Sequence, residues 1–126
     1  MVAPSQLDPA AAFQCAMKAF KDLEFKRTMY DEDELRTSAR KENPTITFSN
    51  TQFRKAWDRL DVDIHPGAGG TEMEILEVTE VEYFTQTGKT FEQIQPSPEV
   101  QQAARDLQVR CNGSTPVQPD SVPEAN

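Results

Sequence analysis

The stretch RLDVDIH, residues 59–65, alternates apolar and polar side chains, and this alternation decides the fold class. One side of such a strand faces a core and the other faces water. The apolar positions are Leu60, Val62 and Ile64. The sequence PGAGG at 66–70 supplies a flexible turn, and residues 71–84 are predicted to return as a long strand. The two strands predict the centre of an antiparallel sheet.

In the returning strand, the apolar residues do not all fall on alternate positions. Met73 and Ile75 share one parity, whereas Leu76 and Val78 share the other. Because strand side chains alternate between two faces, this switch predicts a β-bulge or a strong twist within residues 71–84. A last short strand is predicted over residues 90–94, after a turn that contains Gly88.

Upstream of residue 59 the chain contains further short segments of strand character. Residues 25–30 and 35–41 are predicted to form a hairpin, because the acidic run at 31–34 stays solvated in a turn. Residues 45–48 and 53–57 are ambiguous, and they contain either a short edge strand or a loop leading into the next strand. The total prediction is four to five strands.

Two helices flank these strands, and both begin with the same signal. Asp8-Pro9 and Ser97-Pro98 each place a side-chain acceptor at the N-cap and a proline at the first helical position. Apolar residues then recur at helical spacing. In the first helix they are Phe13, Ala16, Met17 and Phe20, and in the second Val100, Ala103, Ala104, Leu107 and Cys111. We therefore predict an α+β fold, a two-layer sandwich with both terminal helices packed on one face of the sheet.

The 126 residues are enough for one domain, which we place at 8–111. Residues 1–7 are predicted to be a disordered N-terminus. Residues 112–126 are predicted to be a disordered tail, because they contain three prolines and few apolar side chains. Asn112-Gly113-Ser114 matches a glycosylation sequon, but its context is that of a helix C-terminus, with Gly113 available to end the second helix.

The charge and the apolar segments exclude several classes of function. The formal net charge of −8 argues against nucleic acid as a partner, since nucleic-acid-binding domains present clustered Lys and Arg. No apolar stretch approaches the ~20 residues of a membrane-spanning helix. Residues 1–6 lack the basic and apolar segments of an export signal. An exported chain would therefore be a mature form from which a signal or lipid-anchor segment was removed.

Cys15 and Cys111 are the only cysteines, and each lies in one predicted helix. A bond between them would close the domain end to end and would indicate an oxidising compartment. Two reduced, half-buried thiols in a cytoplasmic protein are the alternative. A thiol catalyst and a zinc site are not expected, because the cysteines are far apart in sequence and the chain has one histidine. We predict the disulfide, no cofactor and no enzyme activity.

One polar constellation could carry chemistry. Alternation places Asp61, Asp63 and His65 on one face of their strand, with Glu72 and Glu74 opposite across the hairpin. Converging carboxylates and an imidazole can bind a divalent cation or act as acid and base. The alternative is a solvated polar face. The acidic run at 31–34 lacks the spacing of a calcium loop, so we interpret it as a turn.

Two apolar groups are candidates for binding surfaces. Phe48, Phe53 and Trp57 could form an exposed aromatic patch, although large aromatic residues are more often core. A groove between sheet and helices would be lined by residues such as Met17, Phe20 and Leu107.

The segments Asp8 to Phe25, Trp57 to Ile64 with the following turn, and Pro96 to Cys111 resemble uncharacterised lipoproteins of bacterial cell envelopes. The resemblance covers residues 8–111, rests on pattern, and transfers no functional residue. It implies export and a lipid anchor ahead of the folded part, although this chain lacks the lipobox cysteine. We expect a periplasmic, outer-membrane-associated or secreted scaffold or interaction module, which meets a protein partner through an open sheet face or edge strand. The alternative is a small-ligand or metal-binding protein that uses the groove or Asp61, Asp63 and His65.

Overall fold

The computed structural model describes residues 1–67 and 69–113. These residues form an α+β fold of six strands and two helices, so the fold class is confirmed and the count of four to five strands is wrong. In chain order the elements are β1 (Val2–Ser5), α1 (Pro9–Asp22), β2 (Lys26–Asp31), β3 (Arg36–Glu42), β4 (Phe53–Gly67), β5 (Gly70–Thr85), β6 (Gly88–Ile94) and α2 (Pro98–Cys111).

All six strands belong to one antiparallel sheet with the order β1-β5-β4-β3-β2, and β6 also pairs with β5. β4 occupies one edge of β5 along nearly its whole length. The other edge of β5 is shared, because β1 pairs with residues 71–74 and β6 with residues 79–85. The hairpin predicted from residues 59–84 is thus the centre of the sheet.

Of the two alternatives predicted for residues 71–84, the β-bulge is wrong, and the strong twist stays a prediction. The β4–β5 register runs unbroken from Lys55 opposite Glu82 to Gly67 opposite Gly70, and the one irregularity lies between Phe53 and Lys55 in β4. The apolar parity switches because apolar residues lie on both faces of β5. Met73 and Ile75 are buried in the core, whereas Leu76 is 55% exposed on the opposite face.

One core cluster joins both helices to one face of the sheet. Its helix residues include Phe13, Phe20, Val100 and Leu107, as their helical spacing predicts. Its strand residues are those of a single face, and they include Leu60, Val62, Ile64, Met73 and Ile75. Both predicted helix starts are confirmed, because the Asp8 side chain accepts a hydrogen bond from the Ala11 amide and that of Ser97 from the Val100 amide.

The N-terminus was predicted to be disordered, and this prediction is wrong. Residues 2–5 form β1, Ala3 and Ser5 are buried, and the Ser5 hydroxyl donates a hydrogen bond of 2.6 Å to the Cys111 carbonyl. β1 could not be predicted from local sequence, because it is short, contains Pro4 and depends on pairing with a strand about seventy residues away. Of the predicted tail, Asn112 and Gly113 follow α2, and residues 114–126 lie outside the described residues.

The strands predicted before residue 59 are confirmed only in part. The hairpin is confirmed as β2 and β3, and the Asp31 carboxylate accepts hydrogen bonds from the Asp33 and Glu34 amides in its turn. Residues 45–48 are not a strand. Residues 53–57 are instead the first part of β4, which makes this strand longer than the stretch that predicted it.

Cys15 and Cys111 form the predicted disulfide, with Cα atoms 5.7 Å apart. Cys111 is fully buried and Cys15 is half-buried at the flank of α1. The bond joins α1 to α2, and an ion pair of 3.0 Å between Arg110 and Asp22 links the same helices. The two helices therefore lie side by side.

Candidate functional site

The side of the sheet opposite the helices is the main candidate surface, and we call it the open sheet face. Side chains alternate between the two faces of a strand, so in β4 and β5 every second residue points to the open sheet face and the others point to the core. The residues that point to the open sheet face are Trp57, Arg59, Asp61, Asp63, His65, Glu72, Glu74, Leu76, Val78, Glu80 and Glu82. As predicted, alternation brings Asp61, Asp63 and His65 to one face, and the register places Glu72 and Glu74 opposite His65 and Asp63.

Arg59 is the centre of a charged network on this face. Its Nε lies 3.1 Å from Asp61 Oδ1, and its Nη1 lies 3.3 Å from Glu80 Oε1. The Ser38 hydroxyl donates a further hydrogen bond of 2.7 Å to Asp61 Oδ1. The network joins β3, β4 and β5, and the Asp61 carboxylate accepts hydrogen bonds from both Ser38 and Arg59.

Asp63 and His65 lie beside different charged side chains. Arg36 Nε lies 3.4 Å from Asp63 Oδ2, and His65 Nδ1 lies 3.9 Å from Glu72 Oε1. Residues two apart in a strand are separated by roughly 6.5 Å, which spreads the three predicted ligands along β4. Within residues 1–67 and 69–113, no three His, Cys, Asp or Glu side chains are grouped so that they could hold a metal ion. The geometry therefore favours a polar face with paired charges over a metal centre.

Glu82 is the most buried carboxylate on the open sheet face, at 5% exposure. The Trp57 indole N–H donates to it at 2.8 Å, and Lys89 Nζ lies 3.7 Å away. The Trp57 hydrogen bond, together with the positive charges of Lys89, Lys55 and Arg54, lowers the pKa of Glu82 although its burial opposes this. Glu82 is thus held in its ionised form.

The predicted aromatic patch separates into two parts. Phe48 and Phe53 form an edge-to-face pair with centroids 5.6 Å apart. Trp57 lies on the open sheet face, where the Arg40 guanidinium stacks on its ring at 3.8 Å. The ring is therefore covered by a cation of the same chain.

A depression of about 540 Å³ lies in the open sheet face beside the Arg59 network. Its apolar lining comes from side chains that are far apart in sequence, Met1, Met29 and Leu76, which are 43%, 45% and 55% exposed. Its polar lining includes Arg59 and Asp61. The depression thus combines exposed apolar side chains with charged side chains that the ion pairs of Arg59 hold in place.

The predicted lining of the groove is found only in part, because Met17 and Phe20 line a depression of about 600 Å³ beside α1 but Leu107 does not. Phe20 and Leu107 are fully buried in the core, and Met17 is only half-buried against it. A second groove of about 490 Å³, which we call the α2 groove, lies between α2 and residues 41–45, and its floor contains Leu23, Phe25 and Ala103.

Asp58 lines this groove, and its role was not predicted from the sequence. Asp58 is 4% exposed, and its Oδ1 accepts hydrogen bonds from the Thr79 and Ser97 hydroxyls at 2.7 and 2.9 Å. The Asn43 amide donates to its Oδ2 at 2.9 Å. A signal was present, because Asp58 has the same strand parity as Leu60 and so occupies a core position. The network ties α2 to the sheet.

The comparisons with protein-family models and with curated proteins gave no match. No helix in the described part of the chain is long and apolar enough to cross a membrane.

Proposed function

We propose that the protein is an exported, non-enzymatic interaction module, a two-layer domain whose helices cover one face of the sheet and whose open sheet face binds a protein partner. The observation that carries the proposal is the depression in the open sheet face, where Met29 and Leu76 are exposed beside the Arg59 network. Exposed apolar groups rimmed by polar residues are typical of protein-binding surfaces.

The ion pairs of the open sheet face support this function. Arg59, Asp61 and Glu80 are each about two-thirds buried and are joined across neighbouring strands. Side chains held in this way lose little conformational entropy when a partner covers them. Export is supported by the disulfide between Cys15 and Cys111, because such bonds persist in oxidising compartments.

A photoreactive amino acid at Leu76 tests the proposal in cells that make the protein. We expect a cross-link to one partner from Leu76 and none from Val109, a control on α2 that is 65% exposed. Binding to the purified partner is then measured by calorimetry. The Leu76→Asp variant is expected to weaken it by more than about tenfold, as for the removal of a central interface contact.

Val109→Asp is the matched control and should bind the partner as the wild-type protein does. Equal cross-linking from Leu76 and Val109, or full binding by Leu76→Asp, would show that the open sheet face is not the interface. Recovery of the protein with free thiols from the cytoplasmic fraction would contradict export.

The α2 groove supports a second candidate, the binding of a small ligand with an apolar body. Its floor of Leu23, Phe25 and Ala103 is apolar, and such grooves are the usual sites of small molecules. The Ala103→Trp variant would fill it. Retention of ligand binding by this variant would exclude the groove.

A further inference from the structure

Three strands have an outer edge with which no described strand pairs, and two of these edges are protected. β1 has four residues and contains Pro4, which lacks a backbone donor. β2 has a register shift between Arg27 and Met29 and carries Lys26. Short length, proline, bulges and lysine are the means by which sheets prevent pairing between molecules.

β6 has the least protected edge, because Lys89 is the one feature of this kind that it contains. Its seven residues contain no proline, and they pair with β5 in one continuous register from Gly88 opposite Thr85 to Ile94 opposite Thr79. Residues 89–93 are all exposed, and Phe91 is 48% exposed. A regular and exposed edge of this length is a template for another strand.

The hydrogen bonds show which residues of β6 point outward. Ile75 exchanges two backbone hydrogen bonds with Met1, so its amide and carbonyl point to the edge that β1 and β6 share. Backbone groups alternate along a regular strand, so Thr79, Val81 and Tyr83 point to the same edge. Their partners in β6 are Ile94, Glu92 and Thr90. The backbone groups of the residues between, Lys89, Phe91 and Gln93, therefore point away from the sheet.

This outward set is self-complementary. When two copies of β6 pair antiparallel about a two-fold axis at Phe91, this residue lies opposite its own copy, and Lys89 lies opposite Gln93. Glu92 lies opposite Thr90, so no two like charges face each other. An apolar pair at the centre and the absence of charge repulsion both favour this register.

We propose that β6 pairs with β6 of a second copy of this chain, centred on Phe91, and joins two sheets into one continuous sheet. The two open sheet faces then lie on the same side of the dimer, because the two-fold axis is perpendicular to the sheet. The inference is independent of the proposed binding partner.

Sedimentation velocity over a wide range of protein concentration tests the proposal. We expect the wild-type protein to form a reversible dimer, and we expect Phe91→Lys to raise the dimer dissociation constant by at least about tenfold, since two like charges then lie opposite each other. Phe84→Lys is the matched control, because Phe84 is 54% exposed on the same face but lies in β5. Its dissociation constant should equal that of the wild-type protein.

Two further variants examine the register. Gln93→Pro removes an outward backbone donor and no intrachain one, so the monomer should fold and the dimer should weaken. Phe91→Cys should form an intermolecular disulfide under oxidation, because opposite residues in a hydrogen-bonded pair have Cα atoms about 5.5 Å apart. A wild-type protein that is monomeric at every concentration, or a dimer that Phe91→Lys leaves intact, would overturn the proposal.

Discussion

Glu82 is a nearly buried carboxylate with three cations and an indole N–H around it. Trp57 donates to it directly, and Lys89 is the nearest cation at 3.7 Å. A carboxyl group whose pKa is lowered on folding stabilises the fold while it is ionised. Its contribution is complete above the pKa of the unfolded chain and is lost as the pH falls through the lowered pKa of the folded protein.

We therefore expect Glu82→Gln to lower the free energy of unfolding at pH 7, because the amide keeps a hydrogen-bond acceptor for Trp57 but loses the attraction to Lys89, Lys55 and Arg54. The difference from the wild-type protein should shrink as the pH falls below about 4, where the unfolded carboxyl group is protonated. Urea unfolding at a series of pH values measures it. A difference that does not change with pH would contradict this account.

The exposed Glu92, on the opposite face of the sheet, provides the control for this experiment. Glu92→Gln removes the same charge from a site where the structure records no hydrogen bond or ion pair with the side chain. Its effect on unfolding should be small at every pH, as for most surface substitutions.

At the scale of elements, the N-caps of α1 and α2 differ in their surroundings. Asp8 is exposed and caps α1 through one hydrogen bond of 2.8 Å to the Ala11 amide. Ser97 is 5% exposed, and its hydroxyl both accepts from the Val100 amide and donates to Asp58. The cap of α2 thus also attaches the helix to the sheet.

Ser97→Ala should destabilise the protein by about 2 kcal/mol, because it removes a cap and leaves the buried Asp58 carboxylate with one donor fewer. Asp8→Ala should cost about 1 kcal/mol, as expected for an exposed cap. Chemical denaturation of both variants measures the difference. Equal losses would show that the Asp58 network contributes nothing beyond ordinary capping.

The elements also show which features the sequence can predict. The helices were predictable because Asp8-Pro9 and Ser97-Pro98 are local signals, and Asp61 and Asp63 were placed on one face by alternation within a single strand. Their partners were not predictable, because the contact of Arg36 with Asp63 depends on the β3–β4 register. β1 was missed for the same reason, since its pairing is non-local.

At the scale of the whole molecule, the disulfide closes the chain between its first and last helices. Cys15 and Cys111 are 96 positions apart, and all the strands except β1 lie between them. β1 is attached to the same region, because Ser5 bonds to the Cys111 carbonyl and the Gln6 amide to the Asn112 carbonyl. The disulfide therefore limits the conformations that nearly the whole length of residues 1–113 can adopt when the protein unfolds.

Replacement of both cysteines by alanine should lower the free energy of unfolding by roughly 2–5 kcal/mol, because a closed loop near 100 residues removes about 4.7 kcal/mol of chain entropy from the unfolded state in the simplest model. Denaturation of the double variant beside the oxidised and reduced wild-type protein measures this loss. Reduction should reproduce most of it, since the core contacts of α1 and α2 do not depend on the bond. A double variant as stable as the oxidised protein would mean that the core holds the helices together unaided.

The disulfide itself is tested by intact mass after thiol alkylation. Two alkylated cysteines in freshly isolated protein would show that the native chain is reduced. That result would remove the main argument for export.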